Sequence, residues 1–246
     1  MGKARNIVVA VTFVTTSGLV ATFASGALER EPDSRPDMIW IPAVQAHAAR
    51  GFWIDTTEVT NEQFSAFVRA TGYVTLAERP PRAEDAPDVP LRLREAGSIV
   101  FTPPQKPTSR ADVSEEWWRF VPGADWQHPR GPDSDLAGHM QEPVVHIART
   151  DALAYAAWAR KRLPTVAEWR LAAAQPDTEA AERGAARALL ERVLPVASSP
   201  ANRFGLFDME GNVWEWVSDD LRLDHYAGRH STSDRVGFRC VRDVSP

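Results

Sequence analysis

The chain has 246 residues, enough for one large domain or two small ones, with 43% hydrophobic residues and a net charge of −5. That balance supplies no basic field for a nucleic acid, and one cysteine excludes a disulfide framework within the chain. Nine tryptophans are many for this length and point either to an aromatic core or to a groove for an extended peptide or ligand.

Residues 1–28 differ from the rest. Lys3 and Arg5 form a short basic head, and no charge follows from Ile7 to Leu28. Ser25 and Ala27 stand at the −3 and −1 places of a cleavage site after Ala27, the pattern of a secretory signal peptide. An uncharged run of this length also just suffices for an uncleaved anchor, although its Thr, Ser and Gly content makes a poor one. The expectation is export, to a periplasmic or secreted location, with membrane attachment only through this segment. Residues 29–37, rich in Pro and charge, form a spacer, and 38–246 the domain.

Met38–Pro42 and Phe52–Thr57 predict the first two strands. Thr60 with Gln63 three residues on forms a capping box that starts a helix. Phe64, Phe67 and Val68 share one face of it, and Gly72 ends it. Residues 77–115 carry many Pro, Arg, Asp and Glu, and only Ile99–Phe101 is apolar. They read as a long loop, either a binding surface or a solvated excursion. Trp117–Pro129 packs aromatics, Pro, Gly and His into what reads as a rigid loop. Pro143–Ile147 predicts a buried strand, and Thr150 a cap for a helix ending in Arg160, Lys161 and Arg162, where basic residues suit the dipole. Thr165 and Glu168 form a second capping box. Over residues 177–194, Ala181, Ala185, Ala188, Leu189 and Arg192 follow a helical spacing behind Asp177.

The densest stretch is Arg203–Asp220, with four aromatics, two glycines and several carboxylates. Asp208 and Glu215 can face each other across the turn at Gly211-Asn212. Two carboxylates with freed backbone carbonyls suit a hard cation such as Ca²⁺, and the same spacing equally describes a tight turn into a Trp-rich core strand. Cys240 reads as a buried inert thiol, or as a free one able to pair with a partner. The histidines show no ligand spacing, and a solvated loop is the simpler reading of His225 and His230.

Gly205-Leu-Phe-Asp-Met-Glu-Gly-Asn-Val-Trp-Glu-Trp216 resembles the signature of the formylglycine-generating enzymes, the sulfatase-modifying factor family. So do Gly51-Phe-Trp-Ile-Asp-Thr-Thr-Glu-Val-Thr-Asn-Glu-Gln-Phe64, Lys161-Arg-Leu-Pro-Thr-Val-Ala-Glu-Trp169, Gly237-Phe-Arg-Cys240 and the Trp117–Pro129 stretch, all in the family's order over roughly 38–243. The resemblance implies an irregular α+β fold related to the C-type lectin fold, with little regular secondary structure. It implies a groove for a protein or extended peptide client, with Trp117, Trp118, Trp126 and His128 as candidate lining. A lone loop histidine such as His128 is more often structural. The resemblance also implies one Ca²⁺ site, with the carboxylates of Asp208 and Glu215 and the carbonyls of Gly211 and Val213 as ligands.

Three departures from the family stand out. Ala156 and Ala173 occupy positions that hold a disulfide in secreted relatives. The helical run 177–194 replaces loops that carry a second calcium site. The strand segment that carries two Cu(I)-binding cysteines in the active oxidases is missing between Trp216 and Arg235, and Cys240 matches a structural position. Copper is therefore not expected, and no catalytic residue is assigned. The expected role is an exported binding, accessory or maturation factor, with a periplasmic copper enzyme such as nitrite reductase as one client. The alternatives are an oxidase converting a sulfatase cysteine to formylglycine, and a decayed gene product.

Overall fold

The computed structural model describes residues 36–43, 50–81, 94–102, 117–173, 192–219 and 232–243. The expected leader (1–28), all but the end of the spacer, the 177–194 helix except its last three residues, and residues 221–231 lie outside them. No helix among the described residues is long and apolar enough to cross a membrane.

Strands β1 (Met38–Ile41) and β2 (Phe52–Asp55) pair antiparallel, Met38 opposite Asp55. Trp40 faces Trp53 across the pair, with ring centroids 5.6 Å apart. All four β2 residues are buried, because its other edge pairs with β7 (Val241–Asp243) from the far end of the chain. Helix α1 (Asn61–Thr71) starts at the expected box: Thr60 Oγ1 accepts from Gln63 N at 3.2 Å, and Gln63 Oε1 accepts from Thr60 N at 3.0 Å. It ends at Gly72, whose φ of 67° is the left-handed cap that a Cβ would strain. Phe64 and Phe67 turn inward and pack on Tyr155.

The predicted long loop contains a strand, β3 (Gly97–Phe101), which pairs antiparallel with β4 (Trp118–Pro122) inside the stretch read as a loop. Apolar residues at β3 and aromatics at β4 reward the pairing, a non-local gain that local composition does not reveal. Pro143–Ile147 is buried as expected but is not a strand. His146 sits at φ 60°, which breaks the extended run, and its N–H donates to Ser233 O at 2.8 Å. Helix α2 (Arg149–Trp158) is capped at Ala148 rather than Thr150, because the Asp151 carboxylate accepts from Ala148 N at 2.9 Å. Helix α3 (Val166–Ala173) has the expected box, with Glu168 N donating to Thr165 Oγ1 and Thr165 N to Glu168. The two-residue strands β5 (Trp214–Glu215) and β6 (Val236–Gly237) pair in parallel.

Short strands, three helices among the described residues and irregular connections make this an α+β fold of low regular content. One hydrophobic core joins Phe64, Trp126, Tyr155, Trp216 and Phe238. A second joins Ile41, Phe52, Leu206 and Val241 under α3.

Candidate functional site

Between the two cores lies a buried charge cluster. Arg239, fully buried, follows β6, and its guanidinium grips Glu215 on β5. Nε lies 2.8 Å from Oε2 and Nη2 lies 2.7 Å from Oε1. The remaining donors reach the carbonyls of Phe207 at 3.0 Å and of Asp55 and Thr56 at 3.3 Å. Burial works against the Arg239 charge, and Glu215 and Glu58 more than offset it, so its pKa is raised. Glu215 also accepts from Trp169 Nε1 on α3 at 2.8 Å. Counting Nε to both oxygens, Glu215 takes four hydrogen bonds, the full acceptor capacity of a carboxylate.

Glu58 is a second carboxylate beside Arg239. Its Oε1 accepts from Asn212 Nδ2 at 3.1 Å. Its Oε2 is buried with no hydrogen bond, although Arg239 Nη2 is within ion-pair range at 3.8 Å. Burial pushes the Glu58 carboxyl up to about 8; Arg239 opposes the rise, and Glu215 and Asp208 add to it. Asp208 accepts from Ala197 N at 2.6 Å and Ser199 N at 3.0 Å. Asp208 and Asn212 both adopt left-handed backbone, near φ 58°, on either side of Gly211. The turn therefore exists, and hydrogen bonds hold it at both ends.

The proposed calcium ligands thus divide. Asp208 keeps acceptor capacity, and the carbonyls of Gly211 and Val213 accept no hydrogen bond among the described residues. The carboxylates of Asp208 and Glu215 against the one guanidinium of Arg239 also favour an added cation, and Glu58 answers the same excess by moving toward its protonated form. Glu215 does not fit as an open ligand, because Arg239 and Trp169 occupy its oxygens. Among the described residues no group of three His, Cys, Asp or Glu is placed to hold a metal ion.

The aromatic candidates divide as well. Trp117 and Trp118 flank Phe101 at 6.0 and 4.7 Å, and Trp118 stacks on Trp214 at 6.1 Å and 27°. All three tryptophans are only partly buried, so they form one accessible aromatic surface. Trp126 is not part of it. Only 2% exposed, it packs edge-on against Phe64 in the core. His128 is held through Nδ1 by the Asp125 carboxylate at 3.1 Å, and its side chain is 41% exposed.

Sequence reasoning missed Glu58, Arg239 and Trp214 as members of these clusters, although each lies inside a recognised motif. It also missed His146. Its Nε2 lies 3.0 Å from Pro129 O and must be the donor there, so Nδ1 accepts, and the Ser98 hydroxyl is 2.7 Å from it. Burial pushes the His146 pKa down to about 4.

Residues 10–230 match the family described as Sulfatase-modifying factor enzyme 1-like domain. The chain is 36% identical over 234 residues to the Formylglycine-generating enzyme of Mycobacterium tuberculosis, covering 86% of this chain and 76% of that one. It is 33% identical over 249 residues to the Inactive C-alpha-formylglycine-generating enzyme 2 of Mus musculus, covering 77% and 74%. Among solved structures, PvdO from Pseudomonas aeruginosa aligns over 84% of this chain and 90% of its own, at a TM-score of 0.45 and 18% identity. The motifs, their order and the identity over most of the length agree, and the chain belongs to the formylglycine-generating enzyme, or sulfatase-modifying factor, family.

Proposed function

We propose that this chain is an exported, protein-binding member of the family that acts as an accessory or maturation factor rather than as the oxidase. The observation that carries this reading is its one cysteine. Cys240 is fully buried and its N–H donates to Asp55 Oδ2 at 2.9 Å. Burial pushes its thiol well above the ordinary value, with Asp55 adding to the rise. A Cu(I) centre built from two thiolates has only one thiol to draw on here, and that one is held protonated inside the core. The donor set therefore does not fit copper.

The client of this reading is a protein or an extended peptide, met at the Trp117–Trp118–Trp214 surface. An exported copper enzyme such as nitrite reductase is one such client. The same reading includes calcium at the Asp208–Val213 turn, where Asp208 and the carbonyls of Gly211 and Val213, free of hydrogen bonds among the described residues, supply hard oxygens.

The test mixes the full chain with Cu(I), a thiol reductant, O₂ and a peptide bearing Cys-x-Pro-x-Arg, and follows the peptide cysteine by mass spectrometry. The expected result is an unchanged cysteine with a folded protein. Conversion to formylglycine overturns the accessory reading in favour of an oxidase with a different centre.

A further inference from the structure

Among the described residues, strand β4 is paired along one edge only. Gly123 N donates to Ala96 O and Thr102 N to Trp117 O, so Trp117, Arg119, Val121 and Gly123 turn their backbone groups toward β3. By alternation, Trp118 and Phe120 turn theirs outward, and no hydrogen bond to those groups is made among the described residues. The opposite edge of β3 is already used. Ile99 N donates to Thr232 O, and Ile99 O accepts from Asp234 N.

The two faces of β4 differ. Trp118 and Phe120 share the face on which Trp214 stacks, and Phe120 lies over Gly97, where a Cβ would come within 2.9 Å of its ring. The other face carries Arg119, exposed and without an ion-pair or hydrogen-bond partner among the described residues. A charge such as Arg119 and a proline such as Pro122 are what an edge uses against pairing with its own kind. A second copy would bring arginine against arginine. An occupant with carboxylates on that face and apolar side chains on the other meets both surfaces.

We propose that the outer edge of β4 accepts an extended acidic segment of another protein as an added strand, bonded to the outward amides and carbonyls of Trp118 and Phe120. This deepens the peptide-binding reading above and rests on it. Backbone pairing supplies the affinity. The aromatic face and Arg119 select alternating apolar and acidic side chains.

The probe is a capped peptide of about ten residues alternating Val and Glu, titrated by fluorescence anisotropy. Two derivatives carry N-methyl groups on the Val or on the Glu amides. The expected result is a loss of about tenfold or more from one pattern of methylation and little from the other, because only one set of amides faces the strand. Phe120→Pro removes an outward N–H without touching the β3 ladder, whereas Phe120→Leu keeps it, so binding should fall for the first and hold for the second. If Phe120→Pro fails to melt cooperatively, Arg119→Glu decides: it should lose the Glu peptide and gain a Lys counterpart. Equal effects of both methylation patterns overturn strand addition while leaving a peptide surface. Binding by neither the parent peptide nor its derivatives overturns both readings. Concentration-dependent self-association that blocks the probe overturns the choice of occupant.

Discussion

Arg239→Met is the sharpest perturbation of this fold. Methionine keeps the apolar stem of the side chain and removes the guanidinium with its hydrogen bonds. Glu215 then stands buried without the Arg239 charge and with one indole N–H left, and the carbonyls of Phe207, Asp55 and Thr56 lose their Arg239 donors. Removing one partner of a fully buried pair costs about 3–5 kcal/mol. For a domain of this size that lowers the melting temperature by roughly 6–20 °C. Glu58 escapes part of the penalty because it is already pushed toward the protonated form and takes up a proton when Arg239 is gone. The assay is urea unfolding at neutral pH of four proteins: parent, Arg239→Met, Glu215→Gln and the double variant. Gln at 215 keeps an acceptor for Trp169 without the charge, so the double variant should recover at least half of the loss, with a coupling of about 1–3 kcal/mol. A single-variant loss below about 1 kcal/mol, or strictly additive losses, would refute the view that this pair is buried and mutually dependent.

Glu58→Gln should change the pH profile. The folded carboxyl sits near 8 against an unfolded value of 4.5, so the folded state binds the extra proton in that window, and parent stability falls as pH rises from 4.5 through about 8. The variant should lack that fall, gaining on the order of a few kcal/mol over the parent between pH 5 and pH 9; parallel profiles would remove Glu58 from the account. His146 acts on the other limb. Its depressed pKa makes stability fall as pH drops from 6.5 toward about 4, and His146→Gln should flatten that limb in acid unfolding. Millimolar Ca²⁺ should raise the melting temperature of the parent, by up to about 2.7 kcal/mol in stability at a hundredfold excess over Kd. Asp208→Asn should abolish the increment, and equal melting of the parent with Ca²⁺ and with chelator counts against the cation. Glu215→Ala is the wrong variant for that question, since it breaks the Arg239 pair whether or not calcium binds.

Features held by neighbours in sequence were legible beforehand. The boxes at Thr60–Gln63 and Thr165–Glu168 and the left-handed Gly72 follow from a few residues and their backbone needs. What depends on distant partners was not. Nothing near Trp126 in sequence says that Phe64 will cover it, so it reads like its partly buried neighbours Trp117 and Trp118. Trp117–Pro122 reads as a loop because its pairing partner, β3, lies across a polar stretch. Pro143–Ile147 reads as a strand because apolar runs report burial, and burial alone does not set φ at His146. In the carboxylate cluster the sequence identified the turn and two of its acids. It did not show that Arg239, more than twenty residues on, fills the oxygens of Glu215.

The three-stranded sheet carries a consequence for how the chain is made. Its central strand, β2, is flanked on one side by β1 and on the other by β7. Cys240 N and Asp55, bonded to each other, are 185 residues apart. A ribosome will have synthesised nearly the whole domain before β2 meets its second neighbour or Glu58 meets Arg239. Until then the β2 edge lacks its second neighbour and the acid cluster its counter-charge, so these long-range contacts come late and slow folding. Closure then comes as one cooperative event near the end, and loss of even the last strand should leave a polypeptide that never commits to the fold.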